Sequence, residues 1–236
     1  MYYGYGIDPT YILVLIGAVL SLIASARVKS TFAKYSKVGS RTGMTGSETA
    51  QRMLSYKGIA GISISHVPGN LTDHFSPKEG VVNLSDSVYG QTSVAAIAVA
   101  AHECGHVMQH DTGYVPLNLR TAIVPVANIG SYAAWPLIIV GLMLPTNVAG
   151  DIGYFLIQLG IWAFTAAVAF QIVTLPVEFN ASRRALATLQ DMGILSEEEL
   201  PMAKKVLKAA AMTYVASAAA AILQLLRLLL IANRRK

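Results

Sequence analysis

A histidine pair with a glutamate beside its first member, His102-Glu103-Cys104-Gly105-His106, puts metal-binding and proton-transfer side chains into five consecutive residues. On an α-helix, positions i and i+4 share a face and lie about 6 Å apart along the axis, so both imidazoles can reach one zinc ion at about 2.0–2.1 Å. Glu103, next to His102, can then reach a water on that ion without ligating the metal. Zinc lowers the pKa of such a water toward about 7, and a carboxylate so placed can take its proton and pass it to a departing amine. This spacing meets the requirements of peptide-bond hydrolysis, with His102 and His106 as zinc ligands and Glu103 as general base.

A catalytic zinc takes three protein ligands and keeps a fourth position open. His110 shares the helical face, but about 12 Å of helix rise separates it from His102, too far for both to bind one ion. A glycine three residues past His106 followed by a third histidine is excluded too, because those positions hold Gln109 and Thr112. The better candidate is Glu178, in Pro176-Val177-Glu178-Phe179-Asn180-Ala181-Ser182 at the end of a long apolar run. Its competing reading is an interfacial carboxylate paired with Arg183 or Arg184. The donor for a developing oxyanion stays open among His74, Arg183, Arg184 and Tyr214, and Asp73 with His74 reads equally well as a turn pair. Cys104 sits at i+2, off the ligand face, and reads as a packing residue; as the single cysteine it forms no intramolecular disulfide.

The elements that must position these residues are apolar. Of 236 residues, 54% are hydrophobic and 13% charged, and the mean hydropathy is +0.50, values of a membrane protein rather than a soluble globule. The net charge of +5 does not point to nucleic acid, because the basic residues flank apolar stretches instead of interleaving with polar surface. Four stretches have the roughly 18–20 uncharged residues needed to cross a hydrocarbon core: Pro9 to Ala26, Thr121 to Leu144, Ile152 to Val177, and Ala209 to Leu226, the last continuing past Arg227 to about residue 232. Gln224 and Arg227 leave open whether the last one crosses fully or packs against the others. The N-terminus lacks a basic n-region and cleavage site, so the first run reads as a retained anchor.

Arg27, Lys29, Lys34, Lys37 and Arg41 follow the first run with no acid among them, whereas residues 1–8 and 145–151 hold no basic residue. Residues 27–120 and 178–208 are therefore expected on the cytoplasmic side. The second and third runs then form an antiparallel hairpin that returns Glu178 to the side of the histidines. Between the first two runs, the patterning predicts a helix over Ser47 to Tyr56, an alternating strand over Gly58 to Ser65 and a β-hairpin over Leu71 to Ser85 turning at Pro77 to Gly80. A helix capped by Ser93 then runs through about His110. The alanine-rich 209–221 suits close helix packing. The expected fold is mainly α, a polytopic membrane protein of about four hydrophobic helices with a motif-bearing helix and a small β-hairpin or edge strand, in one integral-membrane domain over 1–236.

With this motif followed, after a helical hairpin, by Glu178-Phe179-Asn180-Ala181-Ser182, the chain resembles the YugP-type membrane zinc metallopeptidases of bacteria. The resemblance runs nearly end to end, including Leu71-Thr72-Asp73-His74-Phe75 and Gln224-Leu225-Leu226-Arg227. More distantly the chain is similar to the HtpX and CAAX-prenyl endopeptidases. These resemblances imply His102, His106 and Glu178 as zinc ligands, Glu103 as general base, and an edge strand from the hairpin that pairs with an extended substrate. The wider group usually has an aspartate four residues after the glutamate; here that position is Ser182, which can hydrogen-bond a histidine but brings no charge. The additional early span of the HtpX-like proteins is absent.

The expected function is that of a membrane-embedded, zinc-dependent endopeptidase of the cell membrane, cleaving membrane or membrane-proximal proteins at or near the cytoplasmic face. The alternative is a non-catalytic, zinc-stabilised membrane scaffold or partner subunit. Expected partners are membrane lipids and a peptide or membrane-protein substrate, with no nucleic acid. A transporter would place ionisable residues midway along several spans, and the second and third runs hold none.

Overall fold

The computed structural model describes residues 8–144 and 151–233. Among these the chain forms six helices and a three-stranded sheet: α1 (Tyr11–Tyr35), α2 (Gly46–Tyr56), β1 (Ser63–Val67), β2 (His74–Ser76), β3 (Val81–Ser85), α3 (Val94–Asp111), α4 (Val115–Met143), α5 (Asp151–Asp191) and α6 (Leu200–Asn233). The fold is mainly helical, as the patterning predicts. Residues 1–7, residues 145–150 and the basic stretch 234–236 lie outside the described residues. α1, α4, α5 and α6 are each long and apolar enough to cross a membrane. All four extend beyond the apolar runs, because a hydropathy window ends where charge begins whereas the helical hydrogen bonds continue. α5 is the clearest case: it passes through Pro176 without ending and carries Glu178 well inside a 41-residue helix.

The chain divides into two compact units. The first comprises residues up to 23, 119–174 and those from 214 onward. Here α4 and α5 pack as an antiparallel hairpin at small residues. Gly141 lies against the Gly153 carbonyl, Gly160 against the Ala134 carbonyl, and Gly130 against the Ala163 carbonyl; a methyl group at any of the three would overlap its neighbour. Between helices surrounded by hydrocarbon, such approach supplies dispersion contact where hydrophobic drive is weak. Gly17 of α1 likewise meets Ala220 of α6. Ile138, Ile157, Ile161, Leu228 and Ala232 close a small buried cluster. Arg227 is buried, with its guanidinium 4.1 Å from the ring centre of Tyr11. The last helix thus packs into this bundle, and the aromatic face offsets part of the cost of desolvating the charge.

The second unit comprises residues 24–118 and 175–213. Its sheet runs in the order β1-β3-β2, with β1 parallel and β2 antiparallel to the central strand. The β2–β3 hairpin matches the expectation. The alternating strand does not: β1 starts at Ser63 rather than Gly58, because Gly58 and Gly61 take positive φ values of 68° and 79° and turn the chain out of α2. Val82 and Leu84 of β3 are fully buried in a core shared with Met53 of α2, most of α3, Ala185 and Leu189 of α5, and Val206 of α6. Thr45 and Glu48 form a reciprocal capping box at the start of α2, and the Ser93 hydroxyl accepts from the Ala96 amide at the start of α3. That cap fixes where the turns of α3 begin, and hence which face the motif presents.

Candidate metal centre

α3 has two faces with different partners. Ala98, Ala101 and Cys104 are fully buried in the core, and the Cys104 thiol donates to the Ala50 carbonyl of α2. Burial raises the Cys104 pKa well above that of an ordinary thiol, so it is an inert packing group. The other face carries His102 and His106, whose rings meet edge to face with centres 4.7 Å apart.

Opposite that face lies α5, and the approach depends on Gly105. A methyl group there would overlap the Ala181 carbonyl oxygen, so only glycine lets the two backbones come this close. One turn before Ala181, Glu178 is 2% exposed and turns its Oε2 between the histidines, 3.3 Å from His102 Nε2 and 3.7 Å from His106 Nε2. One ligand atom from each of the three residues lies within 4.8 Å of the others. Ligands at 2.0–2.1 Å from a tetrahedral zinc are about 3.4 Å apart, so the two histidine–glutamate distances are those a zinc site requires. The donor set, two imidazoles and one carboxylate, also suits zinc.

The far side of each ring is held as well. His102 Nδ1 lies 3.2 Å from the Ser182 hydroxyl, and His106 Nδ1 lies 3.1 Å from Gln109 Oε1. Gln109 is fully buried, and its amide nitrogen donates to the Val177 carbonyl at 2.7 Å and to Asn180 Oδ1 at 3.0 Å. Both of those partners accept. Asn180 Oδ1 is itself oriented by the Arg184 Nε–H at 2.9 Å, and Arg184 also donates to the Met108 carbonyl. Gln109 must therefore present its oxygen to His106, which places the ring proton on Nδ1 and leaves the Nε2 lone pair facing Glu178. Burial lowers the His106 pKa, but the Glu178 hydrogen bond and the Glu103 and Glu178 charges outweigh it, and the net shift is upward. Glu103 is 7% exposed and near enough for its charge to act on His106.

Other candidates lie elsewhere. His110 is exposed and packs edge-on to Phe75 of β2. His74 Nδ1 donates to the Thr72 carbonyl and its Nε2 accepts from Asn83, while Asp73 accepts from the Ser85 amide and hydroxyl; both side chains brace β2 against β3 rather than forming a turn. Arg184 is committed to the chain of bonds behind His106, and Tyr214 belongs to the first unit. Arg183 is exposed and lines a groove of about 900 Å³ that begins at Ser182 and continues between Phe179, Leu186 and Leu200. The sequence reading missed Gly105, Gln109 and Asn180. Gln109 stands three residues past His106, a spacing that puts it on the ligand face, and that was the available signal.

The family described as "Putative neutral zinc metallopeptidase" matches residues 10–233. The chain is 47% identical over 212 residues to "Putative membrane protease YugP" of Bacillus subtilis (strain 168), covering 90% of this chain and 91% of that protein. No solved structure matches.

Proposed function

Because the chain belongs to this neutral zinc metallopeptidase family, we propose that it is a membrane-embedded endopeptidase whose zinc is held by His102, His106 and Glu178. The observation that carries this reading is that one buried carboxylate oxygen lies 3.3 and 3.7 Å from the Nε2 atoms of two histidines on a helix distant in sequence. Zinc, when bound, supplies a Lewis acid that polarises a carbonyl and brings the pKa of a water down to about 7. The rest of the work falls to the chain. Glu103 accepts the proton of the attacking water and returns it to the amine that leaves. Gln109 keeps the His106 imidazole in the Nδ1–H form, so no proton competes at its Nε2, and the Ser182 hydroxyl can accept from His102 Nδ1 in the same way.

The substrate is an extended segment of a membrane or membrane-proximal protein. β2 lies at an edge of the sheet and can add one further strand. The apolar groove that begins at Ser182 would take side chains beside the scissile bond. The basic residues after the first span put this site on the cytoplasmic side of the cell membrane.

The test uses full-length protein in detergent or vesicles with an unfolded protein and a membrane protein as substrates. Glu103→Gln should keep zinc and lose proteolysis by about 10²–10⁴-fold, since glutamine cannot accept the proton. Cleavage at the wild-type rate with metal bound would remove Glu103 as the base. Zinc retained by both proteins with neither cleaving any substrate would favour the scaffold. For the side, cysteines at Ser36 and Ser196 should label alike and one at Thr146 oppositely, in a Cys104→Ala background; any other pattern refutes the orientation.

A further inference from the structure

The uncharged runs of α1 and α6 end at matching places. α1 carries no charge from Tyr11 to Ala26 and then meets Arg27; α6 carries Lys204, Lys205 and Lys208 and then no charge from Ala209 to Leu226. Arg27 and Lys34 of α1 and Lys205 and Lys208 of α6 line a single cavity of about 510 Å³. No acidic residue lines it, and among the described residues none of these four cations lies in an ion pair. Four unneutralised cations around one concavity repel one another, so a bound anion gains from all of them at once. Ala209 and Met212 add an apolar part to its lining.

We propose that this cavity is a binding site for the phosphodiester headgroup of an anionic membrane lipid. The cations stand in the first charged turns, within about two turns of the uncharged runs of two membrane-length helices, close to the depth at which lipid phosphates lie, and basic pockets between such helices bind lipid headgroups. The apolar lining continues into the uncharged run of α6 and gives an acyl chain a surface to follow, which a free phosphate would leave bare. Lys29 and Lys37 belong to the same basic stretch but do not line the cavity, so the site differs from a diffuse basic collar. The inference is independent of the zinc centre.

The test takes full-length protein, delipidated in a neutral detergent, and titrates it with phosphatidylglycerol, phosphatidylcholine or inorganic phosphate, reading bound lipid by native mass spectrometry and thermal shift. Phosphatidylglycerol should bind and phosphatidylcholine should not. An Arg27→Gln/Lys205→Gln pair should weaken binding by about tenfold or more, whereas Lys29→Gln/Lys37→Gln, which removes the same charge, should leave it within about twofold. Equal weakening by the two pairs would reduce the effect to diffuse charge and overturn the site. Equal binding of phosphatidylcholine, or saturation by inorganic phosphate at the same concentration, would overturn the lipid assignment. Should the first pair lose its helical circular dichroism, the single variants Lys34→Gln and Lys205→Gln carry the same criterion.

Discussion

The two compact units hold their helices together by different means. In the first, glycines at 130, 141 and 160 bring backbones into contact, the buried apolar cluster is small, and one buried cation rests on an aromatic ring. In the second, a continuous hydrophobic core joins sheet and helices, and a chain of polar groups runs from Arg184 through Asn180 and the buried Gln109 to His106. Polar order costs desolvation, and it is concentrated around the candidate metal ligands. Gly105 belongs to the second unit yet works in the manner of the first: it removes a side chain so that two helices can touch. In one unit that contact joins spans; in the other it sets the distance between a histidine helix and a carboxylate.

Substitutions that separate metal binding from bundle stability test this contrast. The largest effect is expected from the ligands. Purified protein should hold about one zinc per chain, and His102→Ala, His106→Ala and Glu178→Ala should each lose most of it to a chelator wash. Retention by Glu178→Ala with loss in His110→Ala would refute the assignment. Gln109→Leu comes next: it keeps the volume but removes the acceptor on His106 Nδ1, and should weaken zinc by about 10–100-fold in a chelator competition. A change under about twofold there would mean that this chain of bonds does not aim the ligand.

Gly105→Ala and Gly130→Ala form a matched pair. Each forces a methyl group into a carbonyl and should cost about 1–3 kcal/mol of stability. Only Gly105→Ala should also lower zinc affinity, because its clash at Ala181 falls within one turn of Glu178, whereas Ala163 lies several turns away along the same helix. Equal zinc affinity in the two variants would break the comparison. The smallest effect is expected at the buried cation: Arg227→Met should shift stability by no more than about 2 kcal/mol and leave zinc content unchanged, and a drop in zinc would show that the first unit does more than hold its spans.

Much of the site was legible without coordinates. The spacing of His102, Glu103 and His106 is local, and a helix converts a four-residue interval into a shared face whatever surrounds it. Four apolar runs and a turn sequence between β2 and β3 are likewise local signals, and they led to the helices, the hairpin and Glu178 as the ligand candidate. Strand β1 was misplaced because the positive φ of Gly58 and Gly61 competes with apolar alternation in the same residues.

By itself, then, the sequence determined which side chains could do the chemistry, since helical periodicity and hydropathy depend only on neighbours a turn or a span away. The tertiary structure alone decided how they are held. That Gly105 meets the Ala181 carbonyl, that Gln109 is clamped by Val177 and Asn180, and that Arg184 orients the Asn180 amide and donates to the Met108 carbonyl all depend on the register between α3 and α5. No periodicity encodes that register; it is set by which small residue permits contact and by the requirement that every buried polar group find a partner.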